Sequence, residues 1–266
     1  MSETPPPVAA VLLAAGKGTR MDSDLPKVLH EVAGKPMVRW VIDACRAAGV
    51  TRVVVVVGYR EDLVREALQD EPNVAFATQS EQLGTGHAAA MAEEALADFT
   101  GDVFVLCGDM PLIRPHILDE LLATHRTRSA AATLATAVLQ DPTGYGRVIR
   151  ETPSGGGDGG GFDRIVEQKD ATPEQLAVRE VNPSYYCFKA PELFDALKRV
   201  SSDNAQGEYY LTDVPGLLKQ DGKPVALLDA VPESDVLGIN TLDDLKTVDT
   251  VMRQRLAESP NPQEAV

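Results

Sequence analysis

Five valines stand in unbroken succession from Val53 to Val57, preceded by Arg52. A strand with one wet face alternates apolar and polar residues, so a run without alternation belongs to a strand buried on both faces. That pattern calls for a sheet with helices on either side, and the flanking sequence supplies them. Val8 to Leu13 and Val103 to Cys107 are further apolar runs of strand length, and Val74 to Ala77 is a shorter one. Between them, Met37 to Ala48 places Met37, Val38, Val41, Ile42, Cys45 and Ala48 at helical spacing, with Gly49 suited to the C-terminal cap. Asp62 to Gln69, the alanine-rich Gly86 to Asp98, and Arg114 to Arg126 read as further helices. Regular alternation of strand and helix predicts an α/β fold: a Rossmann-like, mostly parallel sheet with helices on both faces.

Beyond Ala130 the rhythm loosens. Thr133 to Val138, Tyr145 to Arg150, Ile165 to Lys169, Glu180 to Lys189 and Val225 to Leu228 are expected as strands, and Pro191 to Val200 as a helix. A final helix is expected from Thr241 to Ala257. Its Leu242, Leu245, Val248, Val251, Met252 and Leu256 form one apolar stripe, with Thr241 and Asp244 as a capping box. The tract SGGGDGGG from Ser154 to Gly161 is expected to be a mobile surface hairpin tip, since six glycines in eight residues cannot hold a packed conformation cheaply, and without a cation it is a poor phosphate cradle.

Bulk properties exclude several classes. The net charge of −15 and pI near 4.7 argue against nucleic-acid binding, which needs a positive stripe. No apolar run approaches the length of a membrane span, and MSETPPPVAA lacks the basic and apolar regions of a secretory signal, so a cytoplasmic setting is expected. Cys45, Cys107 and Cys187 are widely spaced and read as structural thiols, and the four histidines show no zinc-type spacing. Proline-rich residues 1–7 and the tail 258–266 are expected to be disordered.

In a sheet of this kind ligands sit beyond the carboxyl ends of the strands. There the first strand breaks into Gly16, Lys17 and Gly18, followed by Arg20 and Lys27. Glycine lets backbone N–H groups approach a ligand closely, and cations on both sides suit a polyphosphate. The spacing G-x-G-x-x-M is neither a complete dinucleotide fingerprint nor a P-loop. Gln79 to Thr85 and Gly108-Asp109 fall at the same ends of later strands. For Arg20 and Lys27 the plain alternative is a solvated loop charge; for Asp109 it is a turn carboxylate before Met110-Pro111, and for Asn240 a helix N-cap.

The order LAAGKGTRM (13–21), LPKVLHEVAGKPM (25–37), QSEQLGTGHA (79–88), GDMPL (108–112), DPTGYGR (141–147), IVEQKDAT (165–172), NAQGEYYLTD (204–213) and GIN (238–240) resembles the nucleotidyltransferase half of bacterial N-acetylglucosamine-1-phosphate uridyltransferases, which are sugar-nucleotide pyrophosphorylases. The resemblance runs from Val8 to about Leu256. It implies Mg²⁺-dependent transfer of UMP from UTP to N-acetylglucosamine-1-phosphate, giving the cell-wall precursor UDP-N-acetylglucosamine and pyrophosphate. It also implies one nucleotidyltransferase domain over 8–257: a nucleotide-binding part (8–130), a sugar-binding part (131–240) and a C-terminal helix (241–257).

By the same resemblance Leu13, Ala14, Ala15, Gly16, Gly18, Gln79, Gly84, Thr85 and Gly108 contact the nucleotide, with Gln79 at the uracil edge. Gly146, Glu167 and Asn182 contact the sugar phosphate. Arg20 and Lys27 are the catalytic cations, and Asp109 and Asn240 hold Mg²⁺. The chain departs from the family pattern at Pro183-Ser184, where a small residue and then glycine usually follow the asparagine, and in its lengthened glycine tract. No hexapeptide repeat of a β-helix is present, so acetyltransferase activity is not expected from this chain, and the family's trimer, formed through that domain, is not carried over. A different sugar-1-phosphate or NTP, or a nucleotide-sugar sensor without turnover, are the alternatives.

Overall fold

The structure, a computed structural model, describes residues 6–152, 160–229 and 231–258. The first half follows the expected rhythm: β1 (Val8–Leu13), a small hairpin of β2 (Glu31–Val32) and β3 (Lys35–Pro36), α1 (Met37–Ala47), β4 (Arg52–Val57), α2 (Glu61–Ala67), β5 (Val74–Thr78), α3 (Thr85–Ala90), β6 (Asp102–Cys107) and α4 (Pro115–Thr127). The second half contains β7 (Ala132–Ala135), β8 (Ala137–Val138), β9 (Gly146–Arg150), β10 (Phe162–Val166), α5 (Pro173–Leu176), β11 (Glu180–Asn182), β12 (Tyr186–Lys189), α6 (Ala190–Leu197), α7 (Val214–Gln220), β13 (Val225–Leu228) and α8 (Leu242–Glu258).

Seven strands form the main sheet in the order β13-β7-β12-β6-β1-β4-β5. Neighbours run parallel, with Val11 beside both Val54 and Val105, except around β12, which is antiparallel to β6 and β7. Successive side chains of a strand point to opposite faces, and here both faces are dry. Leu12, Val55 and Phe104 pack into one core with Ile42 and Leu118, while Val11, Val54 and Val105 pack into the other with Ala89 and Leu193. Val53 to Val57 are buried throughout, as their unbroken run requires. Burying one such side chain is worth about 1.5–3 kcal/mol, so this strand fixes the centre of the fold.

A second, antiparallel sheet of four strands, β10-β9-β11-β8, stands apart from the first. The expected single strand Glu180 to Lys189 is in fact two strands, β11 in this sheet and β12 in the main one. Pro183, which cannot donate to a ladder, and Ser184, at φ +63°, mark the break. Thr133 to Val138 likewise divides, at Thr136, between the two sheets. Thr133, though polar, is buried, and its hydroxyl is bonded to His125 Nδ1 at 2.9 Å.

The expected helix from Gly86 to Asp98 ends at Ala90. Bonds from Ala92 to Ala89 and from Glu93 to Ala90 tighten the chain into turns and a 3-10 segment, a tertiary override of alanine's helix propensity. The strand expected at Ile165 to Lys169 lies instead at β10. Thr241 and Asp244 do form the expected cap: the Asp244 carboxylate accepts from the Thr241 N–H at 2.8 Å, and the Thr241 hydroxyl from the Asp244 N–H at 3.1 Å. Most of the glycine tract, with residues 1–5 and 259–266, lies outside the described residues. The Pro6 and Pro7 carbonyls, expected in a disordered lead-in, accept bonds from Arg126 and from the Asp102 N–H.

Candidate active site

The carboxyl ends of β1, β5 and β6 meet at a cleft of about 380 Å³. Leu13, Ala14, Ala15, Gly16 and Gly18 line one side, Gln79, Gly84 and Thr85 another, and Arg20, Lys27 and Asp109 the rim. Backbone bonds lock these loops in place. Ala14 N–H donates to the Val56 carbonyl at 2.9 Å, and Gly108 N–H to the Leu13 carbonyl at 3.0 Å.

Gly18 is required where it stands. Its φ is +65°, and a Cβ there would lie 2.7 Å from the Lys27 Cβ. The lysine thus packs directly on the glycine, which aims its amine at the rim. Lys27 Nζ lies 2.6 Å from Asp109 Oδ2 and 2.9 Å from Asn240 Oδ1. Arg20 Nη2 donates to the same Asn240 oxygen at 2.8 Å. Ile239 N–H donates to the Asp109 carbonyl at 3.2 Å and so ties the two loops through their backbones. Because Thr241 caps α8, the Asn240 side chain is left to face the two cations.

Four charged or amide groups from three distant stretches therefore converge above the glycine loop. Asp109, in the turn two residues past β6, meets the Lys27 ammonium. The Asp109 and Asn240 side chains present hard oxygens to one cationic position, the donor set a small divalent ion takes when waters or phosphate oxygens complete its shell. Among the described residues there is no group of three or more His, Cys, Asp or Glu side chains that could hold a metal by themselves.

Gln79 is buried, and its amide N–H groups are engaged inside the protein, 3.1 Å from the Gly84 carbonyl and 3.0 Å from His87 Nδ1. It shapes the loop from within. Gln82, which the sequence did not single out, is exposed on the cleft wall and donates to the Ala15 carbonyl at 2.9 Å. Its signal was a second amide in the same QSEQLGTG segment.

Gly84 sits at φ +109°, where a Cβ would lie 2.6 Å from the Tyr209 carbonyl oxygen. Gly84→Ala should therefore cost about 1–3 kcal/mol by overpacking and weaken nucleotide binding. Denaturant unfolding together with a nucleotide titration checks this; unchanged values in both would mean that the Tyr209 segment yields freely.

Towards the second sheet the sugar-side candidates separate. Glu167 borders a small adjoining cavity and accepts from the Thr212 hydroxyl at 2.9 Å. Gly146 lies beside it, since a Cβ there would come within 3.5 Å of Glu167 Oε1. Asn182 is buried, and its amide is bonded to the Tyr186 hydroxyl at 2.6 Å and its oxygen to the Ser184 N–H at 3.0 Å. Asn182 lines neither cavity. Cys107 borders both, but burial pushes its thiol up to about 12, so it is a neutral wall group.

Burial raises the Glu167 carboxyl above its ordinary 4.5, against the bond from Thr212. A carboxyl with a raised folded-state pKa holds its proton more tightly in the folded protein, so stability falls as pH rises from 4.5 through the raised value. Glu167→Gln should consequently be more stable than the parent at neutral pH and no different well below 4.5. Unfolding curves on both sides of that window test it; identical pH profiles would show a solvated carboxyl.

Comparison with known proteins follows the same outline. The MobA-like NTP transferase domain matches residues 10–213, most of the chain. The chain belongs to the MobA-like NTP transferase family. Among curated relatives of this NTP transferase, the bifunctional protein GlmU of Geobacter metallireducens is 49% identical over 253 residues, covering 94% of the chain and 51% of the relative. GlmU of Pelobacter propionicus is 48% identical over 250 residues, covering 94% and 53%. The chain thus spans about half the length of the curated relatives it matches. In fold it is similar to UDP-glucose pyrophosphorylase solved with UDP-glucose, with a TM-score of 0.77 at 16% identity, covering 94% of this chain and 99% of the other. No helix among the described residues is long and apolar enough to cross a membrane.

Proposed function

We propose that this NTP transferase transfers UMP from UTP to N-acetylglucosamine-1-phosphate, giving UDP-N-acetylglucosamine and pyrophosphate. The observation that carries it is the convergence of Arg20, Lys27, Asp109 and Asn240 above the glycine loop. The GlmU relatives support the choice of sugar and base, and a fold shared with a UDP-glucose enzyme supports a uridine nucleotide.

In this reaction an oxygen of the sugar 1-phosphate forms a bond to the α-phosphorus of UTP while the bond to the pyrophosphate oxygen breaks. The attacking oxygen is already an anion, so no general base is needed. Catalysis consists of positioning and of neutralising charge that grows on the leaving group. The amides of Gly16 and Gly18 approach the phosphates, and Arg20 and Lys27 oppose their charge. Asp109 and Asn240 are the residues that would hold Mg²⁺, which supplies further positive charge at the phosphates.

Ala14, Ala15, Gly84 and Thr85 frame the base. Gln79 and Gln82 both border that frame, Gln79 braced against Gly84 and His87 and Gln82 against Ala15. Glu167 serves the sugar, with Gly146 and Asn182 shaping its surroundings. A nucleoside triphosphate substrate fits a cytoplasmic setting and a role in supplying cell-wall precursor.

The test pairs each NTP with several sugar 1-phosphates in Mg²⁺ and follows pyrophosphate. UTP with N-acetylglucosamine-1-phosphate should be the fastest pair. Faster release with another pair would move the assignment to it, and none with any pair would leave only ligand binding.

A further inference from the structure

Of the six non-glycine residues at positive φ among the described residues, Ser184 borders the small cavity beside the cleft. That cavity, about 50 Å³, adjoins the nucleotide site through shared walls at Leu13, Thr85 and Cys107. Apolar walls at Val105, Leu106 and Leu211 meet polar groups at Glu167, Thr212 and Tyr186, a mixture that suits a short acylamido substituent. The backbone at Ser184 is pinned on both sides: Pro183 before it has its φ fixed by the ring, and the Ser184 N–H donates to Asn182 Oδ1 at 3.0 Å. Asn182 in turn holds the Tyr186 hydroxyl at 2.6 Å.

A side chain kept in a left-handed conformation by its surroundings is strain of the kind that collects at ligand clamps. Glycine would adopt this conformation freely. The hydroxymethyl group of Ser184 thus stands as a fixed wall of a cavity small enough for one such group to alter its depth.

We propose that Ser184 is a specificity-determining residue, whose side chain limits the size of the acylamido group accepted on the sugar phosphate. The proposal rests on the uridylyl-transfer reading above. Its test compares the parent, Ser184→Gly and Ser184→Asn on the N-acetyl, N-propionyl and N-butyryl forms of glucosamine-1-phosphate, with UTP. Both replacements tolerate the left-handed backbone, so both variants are expected to fold.

Opening the wall with glycine should reduce the preference for acetyl over butyryl, in kcat/KM, by about tenfold or more, since a single methylene in a pocket is worth at least that. Asparagine should lower kcat/KM for the acetyl substrate by about tenfold and exclude the longer ones. KM for UTP should stay the same in both, because Ser184 lies off the nucleotide cleft; a variant merely loosened in structure would shift it. Selectivity ratios that agree within about twofold across all three proteins would overturn the proposal while leaving the activity intact. No pyrophosphate from the parent with the acetyl substrate would instead remove the uridylyl-transfer reading, and this proposal with it.

Discussion

Lys27→Ala should lower kcat by about 10²–10³, equivalent to about 2.7–4 kcal/mol of transition-state stabilisation, by comparison with the loss of one preorganised donor to developing charge. The amine is largely shielded from water, with 12% of its side chain exposed, and its stem packs against Gly18, which keeps it at the rim rather than swinging in solvent. A preorganised charge in a partly dry site costs little reorganisation during the reaction, which is why its removal should appear in turnover rather than in folding. Steady-state kinetics with saturating UTP checks this, alongside a melting curve to show that the fold is kept. Turnover within a few-fold of the parent would remove Lys27 from the mechanism.

A second large effect lies away from the cleft. Asp235→Ala should destabilise the protein by about 3–5 kcal/mol, the cost of leaving a buried ionic partner uncompensated. The Asp235 side chain is 2% exposed and pairs with Arg255 from α8 and, at 3.1 Å, with Arg114 at the start of α4. Arg255 also donates to the Leu112 and Ser234 carbonyls at 2.8 Å, and the Tyr185 hydroxyl to the Asp235 carbonyl at 2.7 Å. These bonds hold the segment that leads into Asn240, so activity should fall together with stability. Denaturant unfolding measures the loss; one below about 1 kcal/mol would place the group among ordinary surface pairs.

Much of this was legible in the residues. The valine run could be satisfied only by a doubly covered strand, and the glycine loop with its cations lay at a strand end where ligands are expected. The meeting of Lys27 with Asp109 and Asn240 was reachable only through resemblance, because no local pattern tells a loop at 109 that it will face one at 240.

Other features depend on tertiary context. Hydrophobicity alone makes Glu180 to Lys189 one strand; the proline and the left-handed serine inside it decide that it becomes two. Thr133 is polar yet buried in its strand, because a buried histidine gives its hydroxyl a partner. The two glutamines of QSEQ are chemically alike and both border the cleft, and only backbone geometry decides that Gln79 is buried against Gly84 and His87 while Gln82 is exposed beside Ala15.

The lysine at the rim and the asparagine whose oxygen accepts its hydrogen bond are 213 positions apart in the chain. During synthesis the sheet's first strands can pair well before that asparagine has left the ribosome, since domains begin to order from their N-terminal side. The nascent polypeptide can therefore pair its first strands early but gains the complete charge cluster only once residue 240 has emerged. A ribosome stalled shortly before codon 240 would display the early strands without Asn240 or the Arg255 partner of Asp235.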